Sequence, residues 1–288
     1  MAFCSITLTK PSTVAPLPTG ATRSLTKVAL IDSGIGGLTI ASEIRKKLPS
    51  VVLHYTADLA AFPYGELNAE RIYQRLAHIT RVIQAAHHPD IVIIACNTAS
   101  TQVLDRLRSE FSVPFVGVVP AIKPAASQTQ SNHILVLSTP GTAQSGYLQA
   151  LIKRFAQSHT VKIHGSSALV KLAEQELTLG HPPTQEELES ALPLTLPNTI
   201  DTGVLACTHF PILRPGLKKL FPHVKHWVDS GEAIARRVEQ LLAERNILTT
   251  PLDKPLNAFC CTRQEEAPYL TTEIERRLGS FEWDELKI

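Results

Sequence analysis

Two cysteines are set apart by their neighbours. Cys96 follows the apolar run 91–95 and opens Cys-Asn-Thr-Ala-Ser, and Cys207 follows the run 203–206 and opens Cys-Thr-His. A thiol placed where a strand gives way to the start of a helix meets unsatisfied backbone amides, which lower its pKa and favour the thiolate. A lone buried cysteine more often acts as a small hydrophobe, but Asn97, Thr98, Ser100, Thr208 and His209 are poor company for that role. Each cysteine is also preceded by a polar strand end: Asp32-Ser33-Gly34 lies 64 positions before Cys96, and Thr139-Pro140-Gly141-Thr142 begins 68 positions before Cys207. This weak internal repeat predicts two related lobes, each contributing one thiol to its own wall of a shared cleft.

Two thiols on opposite walls suit the removal of a proton from one face of a carbon and delivery of another to the opposite face, which inverts a stereocentre. Enantiomers have equal free energy, so such a site must work in both directions, and two acid/base groups of one type meet that requirement. The α-proton of an amino acid is a very weak acid, so preorganised donors must also stabilise the developing negative charge. Asn97, Thr98, Thr139, Thr142 and Thr208 supply them.

These residues need rigid elements beneath them. Apolar runs of strand length at 28–32, 51–57, 91–95, 115–118, 134–138, 161–164 and 203–206 alternate with stretches of helical period at 38–48, 69–86, 102–110, 146–157, 168–177, 185–191 and 232–245. Such alternation predicts an α/β protein with largely parallel sheets, whose ligands sit beyond the carboxyl ends of the strands. The expected organisation is a flexible extension over 1–26, rich in Ser, Thr and Pro, followed by two lobes. Each lobe is a mainly parallel sheet flanked by helices, with the site between them.

The chain has 288 residues, 44% hydrophobic and 19% charged, with 28 basic and 26 acidic side chains. Collagenous, disordered and strongly charged classes are excluded. Aromatics are 6% and the basic residues are scattered, against a nucleic-acid surface. Five unevenly spaced cysteines do not make a disulfide framework, and no apolar run approaches the roughly 20 residues that span a bilayer. A cytoplasmic protein without a membrane partner is expected. No secretory core is visible in the first 26 residues, and with Lys10 and Arg23 as their basic residues a transit peptide is disfavoured.

The segments LIDSGIGGLTI, AFPYGE, IACNTAS, STPGTAQSGY, ACTHFPIL and VDSGEAIARR, spread over 30–237, resemble those of cofactor-independent bacterial glutamate racemases, and the 121–124 stretch with the extended amino terminus is similar to the longer proteobacterial members. The resemblance implies interconversion of L- and D-glutamate by proton transfer at Cα, without a cofactor, supplying D-glutamate for peptidoglycan. It implies that Cys96 acts on the D-enantiomer and Cys207 on the L-enantiomer. Asp32 and Ser33 would approach the substrate amino group and the first thiol, and His209 and Glu174 would assist the second. Pro63, Tyr64 and Gly65, with Asn97, Thr98, Thr139, Thr142 and Thr208, would hold the two carboxylates, partly through backbone amides. It further implies return of the chain from about Asp229 to the first lobe, so that 27–122 and 229–288 form the first lobe and 123–228 the second, a homodimer as one oligomeric state, and activation by UDP-N-acetylmuramoyl-L-alanine. One departure is local: Gly165-Ser166-Ser167 stands where many members carry Cys-Pro. On spacing alone Glu174 also reads as an exposed helix acid paired with Lys171.

Other readings use the same residues. Gly34-Ile35-Gly36-Gly37-Leu38-Thr39 after a strand approaches the dinucleotide fingerprint, but Thr39 replaces the third glycine and Asp32 would face the pyrophosphate. An aspartate racemase would need the same thiols with a shorter pocket, and a non-catalytic two-lobed binder would keep the cleft alone. No metal site is expected: His87 and His88 are adjacent and do not converge on one ion, and Cys260-Cys261 lack a second pair at zinc spacing.

Overall fold

In the computed structural model, residues 25–247, 252, 256–263 and 267–284 are described. The chain runs β1 (Lys27–Asp32), α1 (Leu38–Lys47), β2 (Val52–Ala57), α2 (Ala69–His87), β3 (Ile91–Ile94), α3 (Asn97–Gln102), α4 (Leu104–Glu110) and β4 (Phe115–Gly117). It continues through α5 (Ile122–Gln128), β5 (His133–Ser138), α6 (Pro140–Ala143), α7 (Gly146–Phe155), β6 (Thr160–Gly165), α8 (Ser167–Leu179), α9 (Gln185–Ala191), β7 (Thr202–Ala206), α10 (Arg214–Leu220) and β8 (His226–Val228). The last elements are α11 (Gly231–Glu244), β9 (Leu256–Cys261), α12 (Ala267–Leu278) and β10 (Glu282–Trp283).

Two sheets form, ordered β10-β9-β2-β1-β3-β4 and β6-β5-β7-β8. Every described pairing is parallel. The α/β class with two mainly parallel sheets is therefore as expected. The inner strands explain it: β3 and β7 are buried at every position, so both faces must be covered by helices, and a near-continuous apolar run is the sequence form of that requirement. In each sheet the central strand, β1 or β5, pairs on one side with the strand that delivers a cysteine, β3 or β7. The repeat in the sequence is thus a repeat of strand position.

Several expectations shift. Thr26 is buried and its carbonyl accepts from Val52 N at 2.8 Å; of the expected extension, 1–24 lie outside the described residues. Ala121 and Ile122 pack with Ile134, Val136 and Val204 in the core beneath the second sheet, ahead of the expected boundary after 122. The helix expected at 102–110 is α4, and a further helix, α3, precedes it. Cys96 caps α3, and Val103, at φ −129°, separates it from α4. Asn97, Thr98, Ser100 and Thr101 are weak formers of helix interiors, which hid this first turn from a reading by periodicity. Also unanticipated are β8, β9, β10, α5, α6, α10 and α12, most of them too short to establish a period. β9 pairs with β2, and α11 and α12 pack on α1 and its core, so the C-terminal stretch lies with the first sheet.

Candidate active site

Each reactive side chain is placed by a local rule. Cys96 is the N-cap of α3 and is 8% exposed; its sulfur makes no capping hydrogen bond. Cys207 directly follows β7 and is 6% exposed. The sulfurs are near enough that a charge on Cys207 is felt at Cys96. Across the junction Thr98 Oγ1 lies 2.8 Å from Thr139 Oγ1, and Thr139 Oγ1 donates to Thr142 Oγ1 at 3.1 Å. Thr139 also caps α6, its hydroxyl accepting from Thr142 N. These hydroxyls join the strand-end turns of the two lobes.

Asp32 is fully buried at the end of β1. Its Oδ2 accepts from Gly37 N at 2.6 Å, while its Oδ1 is buried with no hydrogen-bond partner among the described residues. Burial raises its pKa, against the lowering influence of His209 and of the Gly37 and Ser33 amides. Asn97 Nδ2 is likewise buried and unpartnered. An orphaned acceptor and an orphaned donor, each carrying a desolvation cost of about 1–3 kcal/mol, mark where a zwitterion with an ammonium and a carboxylate would be satisfied. Ser33 Oγ points to Cys96 Sγ at 3.9 Å.

On the other wall, His209 is 2% exposed, its Nδ1 3.8 Å from Cys207 Sγ and its Nε2 2.6 Å from Glu174 Oε2. Burial opposes charge on this imidazole, yet the Glu174 carboxylate and Cys207 raise its pKa well above the usual value. Glu174 is held on α8, whose start is capped by the Ser166 hydroxyl and whose buried stripe is Leu169, Val170, Ala173 and Leu177. Glu174 sits one turn beyond Val170 and is 13% exposed, so the surface pair with Lys171 does not form; Lys171 approaches Glu66 at 3.9 Å instead. Glu174 Oε1 also accepts from Ile35 N at 3.3 Å, bringing the second lobe onto the loop after β1.

The expected lowering of both thiols fails at Cys96. Burial, reinforced by the Asp32 carboxylate, pushes its pKa up to about 12, and the Ala99 amide and Ser33 only partly offset this. Helix-start amides act at short range, but removing a thiolate from water dominates at this depth.

Tyr64 is buried, and its hydroxyl donates to Asp58 Oδ2 at 2.6 Å, so the hydroxyl is committed away from the thiols. Arg75 grips the same carboxylate through Nε at 2.9 Å and through its terminal nitrogen. Asp58 and Arg75 were not anticipated; they anchor the loop carrying Pro63, Tyr64 and Gly65. A Cβ at Gly65 would come within 3.1 Å of Thr139 Cβ, and one at Gly36 within 2.3 Å of His209 Nδ1. The glycines of the loop after β1 admit an imidazole. Thr39, which spoils the dinucleotide fingerprint, donates to the Thr208 carbonyl at 3.0 Å. Tyr55, also missed, donates to the Gly34 carbonyl at 3.1 Å and lies 3.5 Å from Asp32 Oδ2. Only its position in a period-two strand hinted at this.

Fold and site together define a two-lobed α/β protein built around a buried pair of thiols. A family described as Asp/Glu/Hydantoin racemase matches residues 39–238. The chain belongs to that family. It is 42% identical over 256 residues to a glutamate racemase of Yersinia enterocolitica, covering 88% of this chain and 85% of the relative. With a glutamate racemase of Actinobacillus pleuropneumoniae it shares 39% over 252 residues, 88% of this chain and 95% of the other. The crystal structure of Escherichia coli glutamate racemase in complex with L-glutamate and the activator UDP-MurNAc-Ala superimposes with a TM-score of 0.80 at 37% identity, over 90% of this chain and 98% of that one.

Proposed function

We infer that this protein is a glutamate racemase, interconverting L- and D-glutamate by proton transfer at Cα and supplying D-glutamate for peptidoglycan. The observation that carries the reading is the pair of strand-end thiols, Cys96 and Cys207, with the orphaned Asp32 Oδ1 and Asn97 Nδ2 beside the first. In the proposed reaction Asp32 accepts from the substrate ammonium. Asn97 Nδ2 and the Thr98, Thr139, Thr142 and Thr208 groups donate to its carboxylates, together with the backbone of the Pro63-Tyr64-Gly65 loop. One thiolate takes the α-proton as the opposite thiol gives its own, so the thiolate and thiol exchange places at each turnover. His209, held by Glu174, stabilises the thiolate at Cys207 as an ion pair.

The reading is tested by incubating the purified protein with D-glutamate or D-aspartate in D2O and following optical rotation and loss of the α-proton. Racemisation with exchange is expected for glutamate; exchange with aspartate alone would replace the substrate, and exchange with neither would leave a binding protein. Aspartate as substrate is disfavoured, since the curated relatives at about 40% identity are glutamate racemases.

The Escherichia coli relative binds UDP-MurNAc-Ala, and the same activation is proposed here; a turnover rate that rises across a precursor titration is the expected result. A homodimer in the cytoplasm, where cell-wall precursors are made, completes the proposal, with light scattering as the check on its size. Among the described residues no helix is long and apolar enough to cross a membrane.

A further inference from the structure

A second cluster of reactive side chains lies on the first sheet, away from the thiols. His54 stands within β2, His87 ends α2, and Asp284 follows β10. One ligand atom from each falls within 4.8 Å of the other two. The His54 and His87 rings stack with centroids 4.0 Å apart, and His87 Nε2 lies 2.6 Å from Asp284 Oδ2. Both ring nitrogens of His54 are buried and have no hydrogen-bond partner among the described residues. An imidazole in that state carries a desolvation cost that a metal ion at its lone pair would relieve.

Asp284 is not a loose surface acid: its amide donates to the Phe259 carbonyl at 2.8 Å, extending the β10–β9 ladder past Trp283. The parallel register explains the convergence. His54 is paired with Ala258, and Ala258 with Glu282. Side chains alternate along a strand, so His54 and Asp284, two positions beyond Glu282, share one face of the sheet. Lys27 Nζ, the nearby cation, is tied to the His87 carbonyl at 2.9 Å. A cavity of about 330 Å³ is bordered by Val52, His54, Asn257, Ala258 and Phe281.

We propose that His54, His87 and Asp284 form a binding site for a divalent transition-metal ion, Zn²⁺ by its donor set. Two imidazoles and one carboxylate, with a fourth position open to water, are a zinc-type set, and shifts of about an ångström bring these donors to bond lengths of roughly 2.0–2.2 Å. The ion would tie the carboxyl end of the chain, through Asp284, to β2 and α2. It takes no part in the proton transfers.

The test is calorimetric titration of the full chain with Zn²⁺, together with the Co²⁺ absorption spectrum. One Zn²⁺ per chain is expected, accompanied by a rise in Tm. Asp284→Asn and His87→Gln, which lie outside the racemisation site, are expected to keep activity and to lose affinity by roughly 100-fold or more, beyond the loss seen when a ligand's supporting hydrogen bond is removed. Co²⁺ is expected to give a tetrahedral spectrum without thiolate-to-metal charge transfer. Absence of stoichiometric binding, undiminished binding in either variant, or a thiolate band, which would place the ion on cysteine, overturns the proposal. The wild-type Co²⁺ spectrum decides even if a variant fails to fold.

Discussion

Cys96 and Cys207 occupy equivalent strand ends in the two lobes, yet their surroundings are of opposite kind. Beside Cys96 stand a buried carboxylate, Asp32, and a hydroxyl, Ser33; beside Cys207 stands an imidazole that a second carboxylate, Glu174, keeps charged. The first wall holds its proton on sulfur, with a pKa of about 12, and the second sets a charged imidazole beside its sulfur. The difference teaches that a reaction whose two ends are equal in energy does not need a symmetric site. It needs one group that gives a proton and one that takes it, exchanging roles at each turnover, and the two can be supported by different neighbours. Asp32 then has a double effect: in the proposed reaction its carboxylate accepts from the substrate ammonium, and it adds to burial, the larger cause, in holding the Cys96 proton in place.

The most damaging test removes either wall. Cys96→Ala and Cys207→Ala are each expected to cut racemisation by about 10²–10⁴-fold or more, measured by polarimetry, because each deletes one of the two proton carriers. Serine at either position is expected to leave traces, an alcohol being a far weaker acid. Full turnover in both alanine variants would end the two-thiol account.

Glu174→Gln sharpens the comparison by neutralising one wall alone. It removes a charge-assisted hydrogen bond worth roughly 1.5–3 kcal/mol, so kcat is expected to fall about 10- to 100-fold. Alkylation of Cys207 should slow as well, read by peptide mass spectrometry, with Cys96 unaffected.

The pH dependence of alkylation reads the other wall. With its pKa raised to about 12, Cys96 is protonated through the neutral range and its thiolate fraction grows with pH. Its alkylation by iodoacetamide should therefore climb about tenfold per pH unit between neutrality and pH 10. A plateau below pH 9 would contradict the assignment. The smallest effect is expected from Tyr55→Phe, which removes a hydroxyl from the Gly34 carbonyl and from the neighbourhood of Asp32. A loss of about 0.5–1.5 kcal/mol, under roughly tenfold in kcat/KM, is expected.

How much could be read in advance differs between the walls. The strand ends were legible because continuous apolar runs such as 91–95 and 203–206 require burial on both faces, and polar residues directly after them fall at the sheet's carboxyl edge. Asp58, Arg75 and Tyr55 were not, since their roles are contacts between elements: a buried carboxylate gripping an arginine from α2, and a phenol reaching the loop after β1. Glu174 stands between these cases. Spacing allowed a pair with Lys171, but its place one turn beyond Val170, on the buried side of α8, turned it toward His209.

The sequence by itself determined the α/β alternation, the two strand-end cysteines and the polar groups that follow each, because these rest on local apolar pattern and on the order of residue types. Only the tertiary structure decided which carboxylate faces which sulfur, that Cys96 has its pKa raised rather than lowered, and that His54, His87 and Asp284 meet. The reason is physical: desolvation and Coulomb interaction depend on depth and distance, and both are properties of packed elements rather than of neighbours along the chain.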